Sequence, residues 1–384
     1  MSVTLPEPSP EARSHSDRVC EQIAREIGAR GGWLAFSRYM ELALYAPGLG
    51  YYAAGARKFG ASGDFVTAPE ITSLFGQALA AQLREIMGRS APALIEVGAG
   101  TGALAADLLE ELALCDALPE SYAILEVSAD LRQRQADTLR ERDPRLAGRV
   151  RWITSLPERF SGAILANEVL DVMPVQVLAW RSGGLFECGV ALDEHGGFRW
   201  EERPAHGHAL EYARRIAAAP PYRSEICLAS RAWIRAWAGI LERGALLLID
   251  YGFPRREYYH PQRSAGTLRC HYRHRAHDDP FFLPGLNDIT SHVDFTSVAE
   301  AGVEAGLELL GYCPQAAFLL DCGILDILAR IRPESGSRYL KAAADVQRLI
   351  NPAEMGELFK VMALGRSVGG GLLGFRSAER SHTL

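Results

Sequence analysis

The sequence predicts an α/β fold, a mostly parallel sheet wound with helices, and three observations carry that reading. From Ala93 onward, apolar runs of strand length alternate with amphipathic runs of helix length. The stretch from Leu94 to Leu109, LIEVGAGTGALAADLL, packs three glycines into five residues between two apolar runs, as a strand, a tight bend and a helix require. At 384 residues the chain exceeds one average domain, so a core with insertions or a smaller lobe is expected.

Taken in order, residues 1–18, MSVTLPEPSPEARSHSDR, read as a disordered tail. They carry proline and acids where a secretory signal needs an apolar run and a mitochondrial presequence needs few acids. Residues 19–92 read as an N-terminal helical lobe with a capping loop. Val19, Ile23 and Ile27 recur every four residues, and GGWLAFSRYMELALYAPGLGYY supplies a second short helix closed by a Pro-Gly turn. In KFGASGDFVTAPEITSLFGQALAAQLREIM a polar, glycine-containing loop runs into a helix. Pro69 suits that helix's first turn, and Leu74, Ala78, Leu79, Leu83 and Ile86 form its buried face.

Residues 93–173 hold the first half of the sheet, with strands at 93–97, 122–127, 150–153 and 162–166 and helices at 102–113 and 129–141. Residues 174–228 read as an insertion in which LFECGVALDEHGGFRWEE is an antiparallel hairpin turned at Gly196 and Gly197. The second half, 229–376, opens with SRAWIRAWAGILERG as a helix with a glycine stop, followed by ALLLIDYG as a buried strand. A long irregular segment, 251–292, lies within a loop 251–295. Then come a helix near 296–306, the strand LELLGY, a helical insertion at 321–356 and the closing strand ELFKVMALGR.

Composition narrows the function. Hydrophobic residues are 48% and charged residues 23%, with no apolar run long enough to span a membrane, so no membrane insertion is expected. A net charge of −6 argues against general nucleic-acid binding, which needs a basic surface to replace counterions. Seven scattered cysteines with no C-x-x-C pair suit reduced thiols in a cytosol-like compartment and show no metal-binding pattern.

The glycine bend brings backbone N–H groups and a helix N-terminus to the carboxyl edge of the sheet, where nucleotide-like cofactors bind. A dinucleotide fingerprint can be laid on Gly98, Gly100 and Ala103, but E-x-G-x-G-x-G on Glu96, Gly98, Gly100 and Gly102 uses every glycine and one acid. A carboxylate there would repel a pyrophosphate. It suits a cofactor carrying an ammonium and a sulfonium, as S-adenosylmethionine does. Glu126, at the end of the next strand and 28 residues after Gly98, is placed to accept ribose hydroxyls, with Val127 and Ser128 beside it. The fourth strand runs into ANEVLDVMPV, setting Asn167, Glu168 and Asp171 at the same edge, a crowding that a cationic guest or a proton relieves.

These stretches, together with GLGYY, KFGASGDFVTAPEIT, ILEVSADLRQRQ, GTLRCHYRH, DITSHVDF and NPAEMGELFKVMALGR, resemble the MidA family from about residue 20 to 375. That family includes the mitochondrial protein-arginine methyltransferase that helps assemble respiratory complex I. The resemblance implies a seven-stranded, Rossmann-like class I methyltransferase fold with helices on both faces and S-adenosylmethionine as cofactor. It also implies a protein arginine, such as one on a complex I subunit, as acceptor. Without a presequence, a bacterial cytoplasm is the expected compartment.

An arginine acceptor is protonated at any working pH, so carboxylates must orient it and one must take a proton; Glu168 and Asp171 are the first choices. Thr67 and Glu70, in the loop before the sheet, are expected to close on the cofactor. Asp64 in that loop, and Asp288 and His292 in the loop 251–295, are expected to face the substrate. DITSHVDF sets His292 between Asp288 and Asp294, as a proton relay or substrate clamp would. RREYYHPQRSAGTLRCHYRHRAH, with six arginines and four histidines, reads as a solvated basic loop. Three functions fit these residues: a protein methyltransferase, a small-molecule or RNA methyltransferase on the same fold, and a non-catalytic assembly factor.

Overall fold

The computed structural model describes residues 5–53 and 67–384 of the chain. These form two compact units. One comprises the described part of Met1–Phe65 with Leu170–Arg231 and Pro254–Asp294; the other is Val66–Val169, Ala232–Phe253 and Phe295–Leu384.

The second unit carries the sheet the sequence predicts. Its strands are β1 (Ala93–Val97), β2 (Ser121–Leu125), β3 (Val150–Ile153), β4 (Phe160–Asn167), β5 (Leu241–Phe253), β6 (Glu308–Pro314) and β7 (Phe359–Arg366). They lie in the order β3-β2-β1-β4-β5-β7-β6. Pairing is parallel from β3 to β5, and β7 runs antiparallel to both β5 and β6. The strand order reverses between β1 and β4, so the carboxyl ends of these two strands flank the crevice in which ligands of such sheets bind. Strand residues Leu94, Ala163, Leu165, Ala245 and Leu247 pack in one core with α1 (Ser73–Arg89) and α2 (Ala103–Leu114). The helix α3 (Ala129–Arg142) follows β2.

Two expectations change here. The helix after Pro69 is in fact two: a turn at Ala68–Ile71, then α1, because Thr72 is extended and its hydroxyl accepts the Leu74 N–H at 3.4 Å, capping a new start. Gly244 does not stop a helix. The helix Leu228–Ile240 has already ended, and Gly244 lies inside β5, where a Cβ would meet the Gly162 carbonyl oxygen of β4 at 1.9 Å. The insertion between β6 and β7 is helical: Gln315–Asp321, Ile324–Ala329, Ser337–Ile350 and Met355–Leu358.

The first unit holds a five-stranded antiparallel sheet of Leu34–Ala35, Gln176–Arg181, Gly184–Leu192, Phe198–Pro204 and Tyr222–Ile226, including the hairpin turned at Gly196 and Gly197. The supposed tail is a correction. Ser9 accepts the Ala12 N–H at 3.2 Å and Pro10 starts a helix that runs to Ala29, burying Val19, Ile23 and Ile27 in one core with Val177 and Val190. Its first half is tied down as well: the Ser16 hydroxyl donates to the Pro284 carbonyl at 2.9 Å. The segment 251–292 is less irregular than expected, for Arg269–Tyr272, Arg275–His277 and Asp288–Thr290 form a three-stranded antiparallel sheet.

Candidate active site

At the end of β1 the chain turns through Gly98, Gly100 and Gly102, all in the left-handed region, with φ of 65°, 53° and 86°. A side chain would be strained at each. The three face different surroundings. A Cβ on Gly100 would meet nothing within 4 Å among the described residues, which leave open space above the bend. One on Gly98 would meet Val169 Cγ2 at 3.3 Å, which puts the chain leaving β4 directly beside the bend. One on Gly102 would lie 3.0 Å from Gln135 Cα, so α3 also rests against it. The helix α2 begins at Ala103, with its unpaired N–H groups at the same edge.

Glu126 follows β2. The Ser128 N–H donates to its Oε1 at 2.8 Å and the Gln135 amide to its Oε2 at 3.2 Å. Burial raises its pKa, and these two donors act against that rise. Ser128 also caps α3 through its hydroxyl, while Val127 stands 74% exposed, an apolar surface beside a buried carboxylate. That pairing fits an adenosine, with hydroxyls on one side and an aromatic base on the other. The sequence reading missed Gln135. A glutamine in the apolar i+4 row of Leu131 and Leu139 was the available signal.

Glu96 does not sit at the rim where it was expected. Alternation along β1 puts it on the face of Leu94, 2% exposed, with the Tyr122 hydroxyl donating to its Oε2 at 2.6 Å. Burial pushes its pKa up to about 7, and Asp107, itself pushed up to about 6 by burial, adds to the rise.

The end of β4 carries a different group. Glu168 takes φ 52°, rare for a side chain of this size, and its N–H donates to the Ile249 carbonyl of β5 at 2.8 Å. The Asn167 amide donates to Glu168 Oε1 at 3.2 Å. Asn167 Oδ1 is buried and, among the described residues, accepts no hydrogen bond. An orphaned acceptor beside the glycine bend fits a cofactor that brings an ammonium group. Thr67 precedes the short turn 68–71 and Glu70 lies within it, its N–H donating to the Thr67 carbonyl at 2.9 Å, and this turn packs on α2.

The remaining expected residues belong to the first unit, except Asp64, which lies outside the described residues. The chain passes from the unit of Glu168 to that of Asp171 between Val169 and Leu170. Asp171 and Asp288 are both buried, and both charges act on Tyr52, whose hydroxyl donates to Asp288 Oδ1 at 2.9 Å. Burial first, and then these charges, hold the Tyr52 phenol well above its ordinary pKa; the Tyr45 ring stacks on it at 5.6 Å. The Ser291 N–H donates to the Asp171 carbonyl at 2.9 Å. Asp294 faces the Arg255 guanidinium at 3.5 Å, and the His292 N–H donates to the Thr267 hydroxyl at 3.1 Å. Among the described residues, no group of three metal-ligating side chains could hold a metal ion.

A sheet of this order, with a glycine bend after β1 and a ribose-height acid after β2, defines a protein that binds an adenosyl cofactor at its strand ends. Residues 74–313 match the family described as "Putative S-adenosyl-L-methionine-dependent methyltransferase", and the chain belongs to that family. Among solved structures, a Burkholderia thailandensis protein bound to S-adenosyl-homocysteine is 50% identical, with a TM-score of 0.97 covering 99% of this chain and 100% of that one. The mitochondrial protein arginine methyltransferase NDUFAF7 of Homo sapiens is 30% identical, over 87% of this chain and 80% of its own. That of Danio rerio is 29% identical, over 90% and 86%. The chain is an S-adenosylmethionine-dependent methyltransferase with a mixed α/β fold built on a mostly parallel sheet.

Proposed function

We propose that the acceptor is an arginine side chain of a protein, with a respiratory complex I subunit as the first candidate. In this reading Glu168 is the group that holds and deprotonates the guanidinium. The observation that carries it is the place of Glu168: it is a left-handed residue at the end of β4, and its neighbour Val169 lies against the glycine bend. The names of the relatives support the same acceptor.

S-adenosylmethionine, when bound, supplies a methyl group activated by the positive sulfur. The chain's residues have three tasks. Glu126 accepts the ribose hydroxyls, and Val127 covers the base. Asn167 Oδ1 receives the ammonium, and the bend at Gly100 leaves room for the backbone to approach. Glu168 offers a carboxylate to a guanidinium that is protonated at any working pH, which fixes its plane and localises a lone pair on one nitrogen. Glu168 would take the proton that this nitrogen gives up when the methyl group leaves the cofactor's sulfur for it.

The test is incubation of the purified protein with cofactor labelled in its methyl group and with complex I subunits from a strain lacking the gene. Mass spectrometry of the digested product should find methyl groups on arginine. Label on a small molecule or RNA, and none on arginine, overturns the reading.

A further inference from the structure

We infer that Gln135 is a positioning residue for the cofactor, holding Glu126 and the glycine bend in one fixed arrangement through its side-chain amide. The inference rests on the reading of Glu126 as the acceptor of the ribose hydroxyls.

Gln135 lies on α3 and is fully buried. Its Nε2 donates to the Gly100 carbonyl at 3.1 Å and to Glu126 Oε2 at 3.2 Å, while its Oε1 accepts from the Trp152 indole N–H at 2.8 Å. Both amide hydrogens are used on acceptors, and the oxygen is used on a group that can only donate. Turning the amide over would set oxygen against two acceptors and an N–H against a donor. Its orientation is therefore determined by its neighbours. No hydrophobic side chain of this size could serve, because it would leave all three partners unsatisfied in a buried place.

The arrangement joins the parts that a cofactor must find together. Gly100 is the residue above which space is open, and Glu126 is the acid beyond β2. The amide of Gln135 is the bond that spans them. Close packing supplies the second constraint, since α3 meets the bend at Gly102 with only 3.0 Å between Gln135 Cα and a would-be Cβ. The other oxygen of Glu126 is fixed by the Ser128 N–H at 2.8 Å. Each carboxylate oxygen thus has one donor from the protein and a second lone pair for a vicinal diol. A carboxylate already held in place loses little freedom when the ligand arrives, which raises affinity without touching the reacting atoms.

The experiment uses the full chain, with titration calorimetry against S-adenosylhomocysteine and steady-state methyl transfer. Gln135→Met keeps the length and removes every hydrogen bond. Its dissociation constant and its KM for S-adenosylmethionine should rise roughly tenfold, with the loss confined to KM, as for a group that acts on binding alone. Glu126→Gln should weaken binding comparably. The double variant should bind no more weakly than the weaker single one, because both substitutions break the same arrangement. Additive losses, an unchanged dissociation constant in Gln135→Met, or a loss in kcat instead of KM overturn the proposal. Unchanged binding in Glu126→Gln overturns the underlying reading of Glu126, and the proposal with it. Should Gln135→Met not fold, Gln135→Glu retains the size and the acceptor for Trp152 but sets a second carboxylate against Glu126. Affinity should then fall at least tenfold at pH 8, and unchanged affinity again overturns the proposal.

Discussion

The ends of β1 and β4 use the same rare backbone region for opposite purposes. At β1, left-handed residues are glycines, and the result is empty space above Gly100. At β4, the left-handed residue is Glu168, which keeps a carboxylate side chain where the other strand end carries none. On the function proposed above, the difference separates two requirements of a transferase: one strand end removes side chains so that a cofactor can approach the backbone, and the other accepts strain to hold a chosen side chain for the acceptor.

The largest expected effect breaks the second end alone. Glu168→Gln should lower single-turnover methyl transfer by about 10² to 10⁴ while cofactor affinity by calorimetry stays within a few fold, since a positioned base contributes about that much. A matching loss of affinity would make Glu168 a cofactor ligand and erase the distinction. Gly100→Val breaks the first end. The parent should gain about 2.7 kcal/mol from cofactor at 100 times its dissociation constant, and the variant, still folded by circular dichroism, should gain nothing. Normal binding in this variant would show that the open space is not the site.

A smaller effect sharpens the picture of β1. The Glu96 carboxyl has its pKa raised to about 7 in the fold, against about 4.5 unfolded, so the folded chain binds the extra proton. Its contribution is complete below about pH 4.5 and fades as pH rises through about 7. Glu96→Gln, which keeps an oxygen for Tyr122, should be more stable than the parent at pH 8 by on the order of 2 kcal/mol, and no more stable at pH 4. Equal denaturation midpoints at pH 8 would show that Glu96 is charged and well solvated. The smallest effect concerns strain. Glu168→Gly should leave stability within about 1 kcal/mol of the parent or slightly above it, because relief of the left-handed side chain offsets the freedom glycine gains when unfolded. A larger loss would mean that the backbone at β4 is not strained.

Much of this was legible in sequence, and the reason is local. The rhythm from Ala93 to Asn167, the glycine spacing and the acid at Glu126 each follow from periodicity or a short motif, so they can be read without knowing what lies opposite. What was missed depends on partners far along the chain. Residues 10–18 look frayed until Ser16 is seen to bond Pro284, and the strands at 269–290 are too short and charged to stand out before they pair. Glu96 was placed at the rim because a strand end was known, whereas its face was fixed by the register with Leu94 and Tyr122. Gln135 shows in the sequence only as a polar break in the row of Leu131 and Leu139, and the conformation of Glu168 not at all: neither residue type announces a clamp or a left-handed bend.

The bond from Ser16 to the Pro284 carbonyl also sets a schedule for the ribosome. The two residues are 268 apart, and the Tyr39 hydroxyl waits likewise for the Pro280 carbonyl, 241 residues later. At roughly 5–20 residues per second, a nascent N-terminal helix spends roughly 13–54 seconds outside the exit tunnel before its partners are made. Within that interval the stripe of Val19, Ile23 and Ile27 first meets residues 34–51, then 175–190, and only at the end Cys270 and Ile289. The parallel sheet can gather its first four strands within a single run of chain, whereas the unit holding Asp171 and Asp288 is drawn from three separate runs and is complete only when Asp294 has been made.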